Sequence, residues 1–106
     1  MRKLIIAAAL LFSTAAQAND TTGNTLLADL HSRNGYRMAS AIGYIQGVAD
    51  SAHGSRSICM PGSATAAIKT ELVRNWLIAN PSDRYRYGEN VVAMALHEVW
   101  PPCAQR

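Results

Sequence analysis

The stretch Ser40–Pro61, SAIGYIQGVADSAHGSRSICMP, constrains the rest of the chain more than any other. Its first half carries Ala41, Ile45, Val48 and Ala52 at spacings of four, three and four, which places them on one face of a helix. Such a face has to be covered. Gly43 and Gly47 stand one turn apart, and each costs a helix roughly 1 kcal/mol relative to alanine, so close approach of a second helix is the expected use of their bare backbone. Gly43, Tyr44, Ile45, Gly47 and Val48 are therefore expected to form a helix-packing or dimer face. From His53 the periodicity stops and Gly54, Ser55, Ser57 and Pro61 follow, with Cys59 just ahead of a new helical pattern. One helix ends, a polar loop crosses, and a cysteine pins the crossing.

Residues 1–18 are expected to be a secretory signal peptide. Arg2 and Lys3 give a positive start, Leu4–Phe12 an apolar run, and Ala16-Gln17-Ala18 a small-residue cleavage site. That run is shorter than the roughly 20 residues a membrane helix needs, so the mature chain, 19–106, is expected to form one domain with no membrane insertion. The leader holds two of the ten basic residues. Without it, eight Lys and Arg face seven Asp and Glu, and the net charge of +3 falls to +1. A nucleic-acid partner, which calls for Lys and Arg gathered on one face, is not expected.

A mature chain of 88 residues is small. Domains of this size bury only about 60 to 65% of their surface, so a covalent staple or a partner subunit is expected. Cys59 and Cys103 are the only cysteines, and an exported chain meets an oxidising compartment, which favours a bridge between them over a free nucleophilic thiol. The bridge closes a loop of 45 residues.

The remaining pattern predicts an all-α, four-helix domain. A first helix is expected from Asn24 or Thr25 to Ser32 around Leu26, Leu27 and Leu30, stopped by Asn34-Gly35. A second runs from Tyr36 to His53, with Met38 extending its apolar face and Gly54 as its cap. A third, capped by Ser63 or Thr65, carries Ile68, Leu72, Val73, Trp76 and Leu77 inward and ends at Asn80-Pro81. A fourth, capped by Ser82 or Asp83, carries Val92, Ala95, Leu96 and Val99 inward and stops at Trp100-Pro101-Pro102.

Catalytic chemistry is hard to place on this chain. His31, His53 and His97 lack a second ligand at metal spacing, and His97-Glu98 is not HExxH, so no metal or other cofactor is expected. There is no G-x-S-x-G elbow, and Glu71, Asp83, Glu89 and Glu98 are dispersed. Two polar corners remain, one at His53–Ser57 with Met60 and the other at Asn80–Tyr87, NPSDRYRY. Tyrosine and arginine are enriched at interface hot spots, which makes these corners candidate protein contacts.

Several motifs in order carry a resemblance. GYIQGVAD at 43–50, C-x-P at 59–61, T-x6-LV-x2-WL-x2-NP from Thr65 to Pro81, and AL with a closing W-P-P-C from Ala95 to Cys103 together resemble the Rap/Tai family of immunity proteins. The resemblance implies a periplasmic helical homodimer, not an enzyme, that protects against a peptidoglycan amidase delivered by type VI secretion by inserting a loop over its catalytic site. For that contact Ser82, Asp83, Arg84 and Tyr85 are placed slightly ahead of Ser55 and Arg56 on polarity and expected exposure. The second cysteine pair common in that family is absent, with Leu30 and Ala41 in its place. The alternative reading is a small periplasmic stress chaperone whose dimer dissociates in acid to expose Ile45 and Val48.

Overall fold

The structure, a computed structural model, describes residues 21–104, so the expected signal peptide at 1–18 lies outside the described residues. Among the described residues four helices follow one another: α1 (Gly23–Leu30), α2 (Gly35–Gly54), α3 (Ala66–Ala79) and α4 (Gly88–His97), with a 3-10 turn at Pro81–Asp83 between the last two. Among the described residues the only β pairing is an isolated antiparallel bridge between Thr22 and Tyr87. The all-α reading holds, and Cys59 and Cys103 form the one disulfide. No helix among the described residues is long and apolar enough to cross a membrane.

Each of the first three helices starts on a polar side chain that accepts an otherwise unpaired backbone N–H. The Thr22 hydroxyl accepts from the Thr25 N–H at 3.3 Å, and Thr65 accepts from Ile68 at 3.2 Å. Asn34 accepts from both Tyr36 and Arg37, at 3.0 and 3.2 Å. The expected stop at Asn34-Gly35 is therefore also a start: the amide that marks the turn begins α2.

The core lies where all four helices meet. Leu26 and Leu30 of α1, Ala41, Ile45 and Ala49 of α2, Val73, Trp76 and Leu77 of α3, and Val91, Val92, Ala95 and Leu96 of α4 are buried. Alpha-2 packs on the other three helices and α4 lies along α3. The inner line of α2 runs 41, 45, 49, so Ala49 replaces Val48 and Ala52 at its centre. Ile58, in the loop read as polar, is 2% exposed and anchors that loop in the core.

Helix four departs most from expectation. It begins at Gly88, not Ser82 or Asp83, and it ends at His97, leaving Val99 49% exposed. The cause lies at the start of α1, whose first N–H groups need acceptors. Gly23 N–H donates to Arg86 O at 3.0 Å and Asn24 N–H to Arg84 O at 2.9 Å, while Gly88 N–H donates to Thr21 O at 2.8 Å. These bonds hold Arg84–Tyr87 out of the helix. Ile68 is likewise 45% exposed and Met38 37% exposed, each in the first turn of its helix.

Alpha-2 ends in a Schellman turn: Arg56 N–H donates to His53 O at 3.1 Å and Ser57 N–H to Ala52 O at 3.0 Å. The left-handed residue of that turn is Arg56, with φ of 64°, whereas the expected cap, Gly54, stays inside the helix. For a residue with a Cβ this conformation costs about 1 to 2 kcal/mol.

Candidate functional site

The first corner is the loop after α2 together with the segment that closes the chain. Ser55 and Ser57 each donate their hydroxyl to Ala52 O at 3.1 Å, adding to the cap of α2. Cys59 N–H donates to Pro101 O at 2.8 Å, Cys103 N–H to Arg56 O at 3.1 Å, and the Arg56 guanidinium to Ala104 O at 2.8 Å. The disulfide lies between these bonds. Loop and closing segment therefore form one rigid patch, fastened below by Ile58 and presenting Arg56 to solvent.

The second corner follows α3. Arg84 turns back, donating Nε–H to Leu77 O at 2.6 Å and Nη2–H to Ile78 O at 3.1 Å, while Asn80 Nδ2 donates to Trp76 O at 2.8 Å. These side chains satisfy the last carbonyls of α3. Asp83 accepts from Arg86 Nε at 2.9 Å, and the Arg86 guanidinium lies 5.2 Å from the centre of the Tyr85 ring. Tyr85, Arg86, Tyr87 and Asn90 line an open depression of about 410 Å³.

The six residues expected at a toxin contact therefore have different surroundings. Ser82, Tyr85 and Arg56 are exposed, Asp83 holds Arg86, Arg84 ties down α3, and Ser55 caps α2. They are not brought together. Ser55 and Arg56 belong to the loop after α2, tied to the closing segment, whereas Ser82, Asp83, Arg84 and Tyr85 follow α3. Arg86, Tyr87 and Asn90 join Tyr85 around the depression; the aromatic and basic run at 84–87 signals the first two in sequence, while Asn90 carries no such signal.

The glycine face needs correction. Gly43 and Gly47 lie two residues either side of Ile45, about 200° round the helix from it, so they cannot share its buried face. Both are exposed, with nothing within 4 Å of where a Cβ would stand, so no helix among the described residues packs there. Ile45 is fully buried in the core, and Tyr44 and Val48 pack partly against it. Tyr44 covers the start of α4: a Cβ on Gly88 would come within 2.9 Å of the Tyr44 ring and hydroxyl. Burial raises the Tyr44 pKa and the Glu89 carboxylate adds to this, while the Glu89 backbone N–H works against both.

The histidines stand apart. His31 Nδ1–H donates to Leu27 O at 3.0 Å, His53 Nδ1 accepts the Met60 N–H at 3.4 Å, and His97 lines a depression beside Trp76 and Met94. Among the described residues no three His, Cys, Asp or Glu side chains gather as a metal site would require.

Fold and corners together define a small, disulfide-stapled helical domain whose exposed loops are tied down by backbone and guanidinium hydrogen bonds. The family model described as Rap1a immunity proteins matches residues 22–103, and the chain belongs to that family. No curated protein and no solved structure matches the chain.

Proposed function

We propose that this protein is a periplasmic immunity protein that binds a peptidoglycan amidase delivered by type VI secretion and blocks its active site. The observation that carries the reading is the family match, which spans the whole helical body from Thr22 to Cys103. Rigid, stapled corners suit a protein that inhibits by shape, because a surface ordered beforehand loses little freedom on binding. In this reading the chain supplies complementarity and performs no chemistry. The exposed Gly43 and Gly47 on α2 leave room for a second copy, which makes a homodimer part of the proposal.

The chaperone alternative has less support. It needs Ile45 and Val48 to be hidden by a partner subunit, whereas Ile45 is hidden within the chain's own core and dimer dissociation would not uncover it.

The test is capture. The mature chain, tagged at its C-terminus, is mixed with the amidase encoded beside its own gene, and complex formation and cell-wall hydrolysis are measured. Stoichiometric capture with loss of hydrolysis is expected. A folded protein that leaves the amidase active would end the immunity reading for that pair.

A further inference from the structure

We infer that Arg56 is a specificity-determining contact of the toxin-binding surface, a guanidinium on a rigid left-handed turn that takes an acceptor oxygen of the partner. This rests on the immunity reading above. The observation is a mismatch between the residue and its backbone. Arg56 is the only non-glycine residue with positive φ among those described, and it stands at the turn position where glycine fits without strain. Strain of this kind persists where the surrounding structure enforces it, and it gathers at functional sites.

Here the enforcement is visible. The Schellman bonds to His53 and Ala52, the Cys103 bond to Arg56 O, the buried Ile58 and the disulfide all fix the turn. None of them needs an arginine side chain. The guanidinium makes one internal bond, to the exposed Ala104 carbonyl, and so commits one of its five N–H donors, while Ala104 could bond to water instead. Among the described residues no carboxylate makes an ion pair with it, in contrast to Arg37, Arg74 and Arg86. What remains is an exposed, pre-ordered donor-only group. Arginine in that state is a frequent hot-spot residue, and its natural counterpart is a carboxylate or a main-chain carbonyl.

The experiment compares wild type, Arg56→Gly and Arg56→Lys as mature chains, measuring thermal midpoint and inhibition of the amidase encoded beside the gene, at low and high salt. Arg56→Gly is expected to melt at or above the wild-type temperature and to inhibit at least about tenfold more weakly. Arg56→Lys, which keeps the strain but loses the fork, is expected to melt as wild type and to inhibit more weakly. A loss on Arg56→Gly that shrinks as salt rises identifies the acceptor as a carboxylate, and a loss indifferent to salt identifies a carbonyl. Two results overturn the inference while leaving the immunity reading intact: an Arg56→Gly chain that inhibits as well as wild type, or one that melts several degrees lower, which would make the arginine a staple for Ala104. If wild type itself fails to inhibit, the immunity reading and this inference fall together.

Discussion

At the residue scale, glycines divide by what stands where a Cβ would go. A Cβ on Gly23 would lie 3.0 Å from both the Arg84 carbonyl oxygen and Leu77 Cδ2, and the Gly23 N–H is already bound to Arg86 O. Gly23→Ala should therefore cost about 1 to 3 kcal/mol, and thermal unfolding should show it as a fall of roughly 4 to 8 °C per kcal/mol. Gly43 and Gly47 meet open space, so alanine at either should add about 0.5 to 1 kcal/mol from helix propensity alone. A double variant that melts lower than wild type, with the loss growing as protein concentration rises, would show that a second copy uses these glycines. Tyr44 gives a test with a different axis. Its pKa is raised above the ordinary 10.0, so its contribution is fully present below that value and is lost as pH climbs toward the raised one. Stability should fall above about pH 10, and Tyr44→Phe should flatten that fall in alkaline melts.

Elements are held by what joins their ends, and the bridge between Cys59 and Cys103 is the covalent tie, with 44 positions of sequence separation. In the chain-entropy model a loop of that length contributes about 4 kcal/mol, so reduction should lower the thermal midpoint by roughly 15 to 30 °C. The Cys59 and Cys103 amides should lose their protection from hydrogen exchange first, because the backbone bonds beside the bridge hold an otherwise exposed segment. A midpoint that hardly moves under reductant would mean that Ile58 and those bonds suffice. Much of this framework was legible in the sequence. Leucine and valine spacing gave the helices, Thr65 its cap, and the two cysteines their pairing. The start of α4 was not legible, because Ser82 and Asp83 have the chemistry of caps, and only the distant N–H groups of Gly23 and Asn24 pull the chain straight after them. Nor was the turn at Arg56, since local preference put the special conformation on Gly54. In both places a contact far away in sequence overrode a sound local rule.

The whole molecule has two candidate ends, and what holds each of them decides how it can be used. The ends differ in what they are free to give. At the Ser82–Tyr87 end Arg84 and Asp83 are engaged in holding the fold, so Arg84→Ala should lose stability along with any binding. At the Arg56 end the side chain is available while the backbone is locked. Hydrogen exchange on the complex with the amidase should then protect the 55–59 loop and the Cys103 amide as one unit, since the disulfide and its flanking bonds couple them, and leave 82–87 at the rate of the free protein. Protection confined to 82–87 would place the contact at the other corner, around the depression lined by Tyr85, Arg86, Tyr87 and Asn90.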